Sequence, residues 1–191
     1  MSEEIRSTSL DGVRVITTKR FADSRGFFSE TFREERFTDA GIGFRCVQDN
    51  HVLSERALTL RGIHYQLPPF AQAKLVRVIA GSALDIAVDL RRGSPTFSKW
   101  VAVTLRASDW SQVFVPAGFG HATLALEPRT EFIYKVGAPY APALERGIRF
   151  DDPELGIAWG VPTHRVFVSE RDRRLPSLRE QADLPVYQGG G

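Results

Sequence analysis

Cysteine is almost absent from this chain of 191 residues. The single cysteine, Cys46, excludes a disulfide framework within the chain and is typical of a protein from a reducing compartment. No apolar run approaches the roughly 20 residues that a membrane-spanning helix needs, and the acidic segment Ser2-Glu3-Glu4 is unlike a signal peptide. The sequence therefore predicts a cytoplasmic protein with no membrane partner.

Lysine is scarce too. The chain carries 25 Lys and Arg residues against 23 Asp and Glu, and the lysines among them are Lys19, Lys74, Lys99 and Lys135. The basic residues are thus mostly arginines, whose planar guanidinium groups suit phosphate and carboxylate better than the compact charge of lysine does. The arginines are scattered rather than grouped in blocks, which argues against a nucleic-acid partner.

Helical periodicity is rare and occurs only over Arg33–Ala40 and in the tail over Ser169–Ala182. Elsewhere apolar and polar residues alternate with period two, as they do in Leu84–Leu90, Val101–Leu105 and Phe132–Val136. This alternation predicts half-buried strands, and Gly- and Pro-rich turns separate them. About ten short strands with few helices predict an all-β sandwich or barrel of the jelly-roll type.

Nothing in the sequence divides the chain, since it holds no internal repeat, low-complexity tract or linker. Its length is enough to bury a core without metals or disulfides. We therefore expect one domain over residues 1–191. Gly189-Gly190-Gly191 is typical of a frayed tail, which we expect to be flexible from about residue 186.

The residues with the clearest catalytic chemistry are Arg61, His64 and Lys74. Histidine is the natural general base near neutral pH, and a nearby lysine can offset negative charge on an oxygen. A satisfied core histidine and a solvated lysine at a strand end are an equally good interpretation of this stretch. Arg61 and His64 are three positions apart, so a regular strand would point their side chains to opposite faces. They reach one site only if Gly62 bends or bulges the strand.

A second histidine, His121, follows the turn Pro116–Gly120 and starts the next strand. That spacing resembles the second motif of cupin barrels, in which this histidine is often a metal ligand. The first cupin motif has two histidines one residue apart, and here the second of them is replaced by Gln66. Because a metal site needs about three protein ligands, the sequence disfavours a metal-dependent cupin.

Two further residues have chemistry that depends on the fold. Tyr134 shares the apolar face of its strand with Phe132 and Val136; such a tyrosine usually only packs and hydrogen-bonds, but it is an acid if a base lies opposite its hydroxyl. Asp172 orients His64 if the fold brings the two together. An exposed charged cluster before a C-terminal helix is the equally good alternative for Asp172.

Together these motifs resemble one family nearly from end to end, the dTDP-4-dehydrorhamnose 3,5-epimerases and their deoxysugar relatives. Each motif alone is weak, but their order and spacing are highly specific. The stretches that carry the resemblance are Asp23–Glu30, Val47–His51, Leu60–Gln66, Lys74–Val76, Ser94–Phe97, Pro116–His121, Glu131–Lys135, Glu145–Ile148, Asp152-Pro153 and Ile157–Trp159.

The resemblance implies a double-stranded β-helix (a cupin or jelly-roll barrel) with a few short peripheral helices. It implies action on a nucleotide-diphosphate sugar, a dTDP-linked 4-keto-6-deoxyhexose, without metal or other cofactor. His64 would accept the proton, with Asp172 orienting it. Tyr134 would donate a proton from the opposite face, and Lys74 would lie beside the C4 oxygen. The implied substrate-binding residues are Arg25, Glu30, Gln48, Asn50, Arg61, His121, Tyr140, Glu145 and Arg171.

The resemblance also implies a homodimer that exchanges N-terminal strands, so that Arg25 reaches the site of the partner. Tyr140 matches a family tyrosine that stacks on the nucleotide base, and Arg171 stands where the family commonly has a lysine. A cation is retained at that position, so a phosphate contact is retained with it.

The residue types fit this chemistry. The C3 and C5 protons of the sugar are acidic only because both lie α to the C4 carbonyl, and their removal leaves an enolate whose charge Lys74 can meet. Inversion requires a base and an acid on opposite faces of the ring. A histidine–aspartate base and a buried tyrosine acid supply both without a cofactor.

Two stretches depart from the family pattern. Ala122-Thr123 stands where the family usually has Gly-Phe, and Gly137-Ala138-Pro139-Tyr140 keeps one tyrosine of a usual pair. Both stretches lie beside the expected sugar position, so a C3-only epimerase of a related pathway stays open beside the 3,5-epimerase. A non-catalytic sugar-nucleotide binding module is disfavoured, because the chain retains the expected base, acid and orienting carboxylate together.

Overall fold

The computed structural model describes residues 4–189, and short strands are the main regular secondary structure in this part of the chain. In chain order the strands are β1 (Glu4–Ser7), β2 (Arg14–Thr17), β3 (Phe21–Asp23), β4 (Gly26–Phe28), β5 (Gln48–Ser54), β6 (Thr59–Gln66), β7 (Lys74–Ala80), β8 (Ser82–Asp89), β9 (Trp100–Arg106), β10 (Ser111–Val115), β11 (Phe119–Ala125), β12 (Thr130–Val136), β13 (Glu145–Gly147) and β14 (Phe167–Val168). The helices are α1 (Glu34–Asp39) and α2 (Glu170–Arg173), with 3-10 turns at Pro142–Leu144 and Thr163–Arg165.

The strands form two large sheets that face each other. The first sheet has the order β1-β2-β10-β7-β12-β5, and the second has the order β13-β6-β11-β8-β9, with β14 pairing in parallel against β6. The other strand pairs in both sheets are antiparallel. This arrangement is a jelly-roll barrel, so the predicted all-β double-stranded β-helix with a few short helices is confirmed.

The hydrophobic core has two main layers. Between the sheets, Val76 and Phe132 of the first sheet pack in one cluster with Leu105 of the second. On the outer face of the second sheet, Ile86 lies in a separate cluster with Trp159 from the segment that follows β13. The second sheet is therefore covered on both faces, which holds its strands rigidly behind the barrel interior.

The predicted strands over 84–90, 101–105 and 132–136 are confirmed as β8, β9 and β12. The expectation that β8 is only half-buried is wrong, because both of its faces are covered. Its aspartates Asp85 and Asp89 are 1% and 0% exposed rather than facing solvent. Asp89 bonds to Arg91, Ser94 and Thr96 and closes the turn that follows the strand.

The two predicted helices differ in outcome. The helix over Arg33–Ala40 is confirmed as α1, but the helix over Ser169–Ala182 is wrong, since only Glu170–Arg173 is helical. Pro176 accounts for the difference, because a proline lacks the N–H of the helical ladder and disfavours helical backbone in the residue before it. Within the described residues, no helix is long and apolar enough to cross a membrane.

The end of the chain runs back along the barrel. Val186 forms an isolated parallel bridge with Arg92, and the N–H of Tyr187 donates to the Arg92 carbonyl at 3.0 Å. The guanidinium of Arg91 lies over the Tyr187 ring. The last two glycines of the predicted frayed tail lie outside the described residues.

Candidate active site

A cavity of about 510 Å³ opens between the two sheets, a size typical of small-molecule sites. Strands β6 and β11 form one wall, β7 and β12 form the facing wall, and α2 with the segment around residue 140 forms the rim. Of the residues that the sequence predicts for the site, those that line this cavity are His64, Tyr134, Asp172, Lys74, Arg61, His121, Tyr140, Glu145 and Arg171.

A bulge in β6 brings Arg61 and His64 to the same cavity. His64 pairs with His121 and Arg61 pairs with Thr123, so two residues of β6 lie opposite one residue of β11. Gly62 stands in the bulge with a φ of +128°, and a Cβ there would lie 2.4 Å from the Cβ of Ala122. The predicted bulge at Gly62 is therefore confirmed, and only glycine fits its backbone and its space.

Asp172 and His64 are hydrogen-bonded to each other, although 108 positions separate them in the sequence. His64 Nε2 lies 2.9 Å from Asp172 Oδ1, and the Gly62 N–H released by the bulge reaches Asp172 Oδ2 at 3.5 Å. Burial alone would raise the pKa of the Asp172 carboxyl, but the hydrogen bond and charge of His64 outweigh it and hold that pKa below its ordinary value. The carboxylate therefore accepts from Nε2, which leaves Nδ1 as the basic nitrogen of the ring.

The short helix α2 places this carboxylate. Ser169 caps the helix by accepting the N–H of Asp172 at 3.1 Å, so Asp172 sits in the first turn with its side chain toward β6. Its side chain is only 7% exposed. The carboxylate beside His64 is thus positioned by a capped helix rather than by a strand.

Tyr134 reaches the cavity from the facing sheet. It lies on β12, where it packs beside Phe132 against the apolar layer between the sheets. Burial raises the pKa of its hydroxyl above the ordinary value, and the positive charge of Arg61 opposes that effect. The hydroxyl is therefore protonated at neutral pH and can act as a proton donor.

Lys74 is a half-buried cation in the cavity wall. Burial lowers the pKa of its ammonium group to about 8, although the negative charges of Asp85 and Glu145 act in the opposite direction. The lysine lies on β7, in the wall that also carries Tyr134. At neutral pH it is still a cation, placed in a poorly solvated cavity where its charge acts strongly on a neighbouring oxygen.

Asp85 is a site residue that the sequence interpretation missed. It is 1% exposed, its Oδ2 accepts from His121 Nε2 at 2.9 Å, and its Oδ1 is buried without a hydrogen-bond partner. The regular alternation of β8 placed it on a solvent face. The available signal was its position in the strand next to the histidine motif, where a carboxylate can support a cavity histidine.

A polar cluster lies at the rim of the cavity. The hydroxyl of Tyr140 donates to Glu145 Oε2 at 2.6 Å, and the guanidinium of Arg171 pairs with the same oxygen. Burial would raise the pKa of Glu145, but the bonds from Tyr140 and Arg171 outweigh it and lower that pKa. The Tyr140 residue is 52% exposed, so its ring offers a flat apolar surface to a ligand.

Four predicted site residues do not line the cavity of the single chain. Arg25 lies at the tip of the hairpin formed by β3 and β4, where it pairs with Asp23 and its side chain is 87% exposed. Glu30 lies before α1 and pairs with arginines next to it. Gln48 and Asn50 bond to each other on β5, at the sheet edge beside β12.

The donor set of the cavity does not suit a metal. Within residues 4–189, no three His, Cys, Asp or Glu side chains are grouped so that they could hold a metal ion. His64 and His121 each use Nε2 toward a carboxylate, and the amide of Gln66 bonds to backbone groups.

A comparison with known proteins decides the family to which the chain belongs. The family model described as dTDP-4-dehydrorhamnose 3,5-epimerase matches residues 7–180. The chain belongs to the dTDP-4-dehydrorhamnose 3,5-epimerase family. The epimerase of this name from Sinorhizobium fredii is 46% identical over 181 residues, which cover 95% of this chain and 91% of that protein.

Solved structures agree with the family at the level of the backbone. The dTDP-6-deoxy-D-glucose-3,5-epimerase of Legionella pneumophila, in complex with dTDP-4-keto-L-rhamnose, has a TM-score of 0.92 at 39% identity and covers 98% of this chain and 100% of its own. A 3'-monoepimerase from Streptomyces bikiniensis, in complex with dTDP-quinovose, has a TM-score of 0.87 at 38% identity and covers 95% and 92%. The resemblance to the 3,5-epimerase family is confirmed.

Proposed function

We propose that this protein is the isomerase that inverts C3 and C5 of a dTDP-linked 4-keto-6-deoxyhexose, in biosynthesis of the dTDP-L-rhamnose type. One observation supports this function best: His64 on one sheet, paired with Asp172 of α2, and the protonated Tyr134 on the facing sheet line the same cavity. Inversion needs its base and its acid on opposite sides of the sugar, and two facing sheets supply them.

The first step is proton removal from the carbon next to the ketone. The C–H proton of C3 or C5 passes to Nδ1 of His64, and the bonding electrons move into a C=C bond as the C4 carbonyl becomes an enolate oxygen. Asp172 stabilises the imidazolium that forms, because its carboxylate already accepts from Nε2 at 2.9 Å. His64 then loses the proton to solvent.

Lys74 stabilises the enolate. Its ammonium group is a cation below a pKa of about 8 and lies in the cavity wall that carries Tyr134. A fixed cation in a poorly solvated cavity offsets charge on an oxygen without reorganising when the charge develops. His121, held by Asp85, stands on the opposite wall as a second polar contact for the sugar.

The second step returns a proton to the other face of the ring. The Tyr134 hydroxyl donates its proton to the carbon, the enolate returns to the ketone, and the phenolate regains a proton from solvent. The positive charge of Arg61 eases formation of the phenolate, since it acts to lower the pKa of Tyr134. The same pair of residues acts first on one carbon and then on the other.

The nucleotide diphosphate lies at the rim in this proposal. The side chain of Arg171 is 60% exposed beside Glu145, and the exposed ring of Tyr140 is available for the base. Guanidinium groups bind phosphate with two parallel hydrogen bonds. The assignments of Glu30, Gln48 and Asn50 to substrate binding stay predictions, since these residues lie outside the cavity wall of the single chain.

We further propose a homodimer with exchanged N-terminal strands. β1 is exposed along all four residues at a sheet edge, and the phenylalanines of the β3–β4 hairpin, Phe21, Phe27 and Phe28, are 51%, 57% and 67% exposed. Exposed edges and apolar patches of this kind are typical of interaction surfaces. A second copy that covers them would also receive Arg25 at its cavity.

The number of inverted carbons, the lack of a cofactor and the site of action are further parts of the proposal. The family model and the 3,5-epimerase relatives favour double inversion over the C3-only alternative. The proposed acid, base and enolate-stabilising cation are all side chains, so the proposed reaction uses neither metal nor organic cofactor. We propose a cytoplasmic site of action, which the single Cys46 and the phosphorylated substrate support.

The experiment that tests the function is isotope incorporation in deuterated water. The purified protein is incubated with dTDP-4-keto-6-deoxyglucose, and NMR locates the deuterium in the product. We expect label at both C3 and C5 with inverted configuration at both carbons. Label at C3 alone would replace the proposed reaction with the C3-only one, and absence of label would contradict both.

A further inference from the structure

The side-chain amide of Gln66 forms hydrogen bonds within the protein through both its nitrogen and its oxygen. The residue is 4% exposed at the end of β6, beside Glu145 of β13. Its Oε1 accepts the N–H of Ala141 at 2.9 Å, and its Nε2 donates to the carbonyls of Pro139 at 3.2 Å and Phe70 at 2.7 Å. The amide therefore hydrogen-bonds to the peptide groups on both sides of Tyr140.

The backbone around Tyr140 depends on such bonds because it has no strand partner. β12 ends at Val136 and the next 3-10 turn starts at Pro142. Gln48 Oε1 accepts the N–H of Tyr140 at 3.1 Å, and Gln72 Nε2 donates to the carbonyl of Ala138 at 2.8 Å. Glutamine side chains thus replace the backbone ladder that would otherwise fix this segment.

We infer that Gln66 is a positioning residue that sets the Tyr140 ring for stacking on the base of the bound nucleotide. The inference rests on the proposed function. An aromatic ring that is held in place before binding stacks at a lower entropic cost than a mobile ring does. Gln66 lines the cavity but has no free amide hydrogen for the sugar, so its contribution to binding passes through Tyr140.

The test is Gln66→Met, which keeps the length of the side chain and removes its hydrogen bonds. A matched control is Gln181→Met, since Gln181 is also buried and also bonds to backbone, at the Gly147 carbonyl and the Asp183 N–H, away from Tyr140. Calorimetry measures Kd for dTDP and for inorganic pyrophosphate, and steady-state kinetics measure KM and kcat.

We expect Gln66→Met to raise the Kd for dTDP and the KM about tenfold, the loss expected for one or two hydrogen bonds that support a stacking contact. The kcat should stay within about twofold, and the Kd for pyrophosphate should not change, because neither involves the base. Gln181→Met should leave both Kd values unchanged. In a Tyr140→Ala background, Gln66→Met should cause no further loss of dTDP affinity.

Equal weakening of dTDP and pyrophosphate binding, or full additivity of Gln66→Met with Tyr140→Ala, would overturn the inference, as would wild-type dTDP affinity in Gln66→Met. Gln66→Leu is the second variant if Gln66→Met does not fold. It also removes the hydrogen bonds to Phe70, Pro139 and Ala141 without adding a charge, and it should show the same selective loss of dTDP affinity. Failure of the wild-type protein to bind dTDP would instead contradict the proposed function.

Discussion

His64 and His121 lie opposite each other on neighbouring strands, and each presents Nε2 to a carboxylate at 2.9 Å. Their surroundings differ. The His64 side chain is 25% exposed, whereas that of His121 is 11% exposed and its partner Asp85 also interacts with the Lys74 cation. His64 is therefore the more accessible of the two histidines to a bound sugar, which fits its proposed role as the base, and the more enclosed His121 fits a role in holding the sugar.

The candidate site residues were predictable where a sequence motif contains them. Contacts between side chains that are distant in the sequence were not predictable, because only the fold brings them together. His64, His121 and Tyr134 stand in recognisable stretches. The contact between His64 and Asp172 joins residues 108 positions apart, so spacing alone could only allow it. Asp85 was missed because alternation along β8 indicates a solvent face, and the second cover over that strand comes from a distant segment.

The Lys74–Asp85 interaction predicts the alkaline limit of activity. Burial lowers the pKa of Lys74 to about 8, so activity should fall as the pH rises through about 8 and the enolate loses its cation. The negative charge of Asp85 acts to raise that pKa. Asp85→Asn should therefore move the alkaline limb of the kcat profile to lower pH.

Glu131→Gln serves as the control for this shift, because Glu131 pairs with the exposed His51 outside the cavity. Its pH profile should match that of the wild type. An alkaline limb that stays in place in Asp85→Asn would contradict the electrostatic role of Asp85.

Strands and turns set where these side chains point, and one bulge has the largest effect. The register shift at Gly62 turns Arg61 and His64 toward one cavity and directs an N–H to Asp172. The parity of the sequence predicted the bulge as a condition for a shared site. The helix predicted over Ser169–Ala182 was too long, because the helical periodicity of that segment continues past Pro176. In the structure the helix ends before the proline.

Gly62→Ala should destabilise the protein by roughly 2 kcal/mol or more, because its Cβ would meet Ala122 in a backbone region that alanine disfavours. The melting temperature should fall by about 4–8 °C. The kcat should fall as well, since a relaxed register would turn Arg61 or His64 away from the cavity.

Gly43→Ala is the matched control, because nothing lies within 4 Å of a Cβ at Gly43 and its φ is not positive. Its melting temperature and kcat should stay near those of the wild type. Wild-type stability and activity in Gly62→Ala would show that the bulge does not need glycine.

At the scale of the whole molecule, two facing sheets carry the proposed base, the proposed acid and the proposed enolate cation. Arg25, one of the four predicted ligands outside this cavity, lies at a remote hairpin. The jelly roll was predictable because period-two strands with few helices allow few architectures. The order of strands in each sheet was not, since pairing between distant strands leaves no local signal in one sequence. The family resemblance, and not periodicity, predicted the cupin type of the barrel and the roles of the site residues.

Mixed dimers test whether Arg25 acts in the neighbouring cavity. Chains carrying Arg25→Ala and His64→Ala are co-expressed with different tags, and the heterodimer is purified. One of its two cavities then combines an intact His64 with the Arg25 of the other chain, so we expect about half of the wild-type activity per dimer.

The control heterodimer combines His64→Ala with Tyr134→Phe, two residues that line the cavity of one chain. It should be inactive, because neither cavity is complete. An inactive Arg25→Ala and His64→Ala heterodimer, or a monomer in sedimentation analysis, would contradict the exchange of residues between chains.

In the proposed reaction, proton removal and proton return belong to different residues on facing walls, His64 and Tyr134. The most direct measurement is NMR of substrate and product after incubation of Tyr134→Phe and His64→Ala with dTDP-4-keto-6-deoxyglucose in deuterated water. Tyr134→Phe should place deuterium in recovered substrate without inversion, while His64→Ala should lose exchange by about a hundredfold or more. Inversion at the wild-type rate in Tyr134→Phe, or full exchange in His64→Ala, would contradict this division of roles.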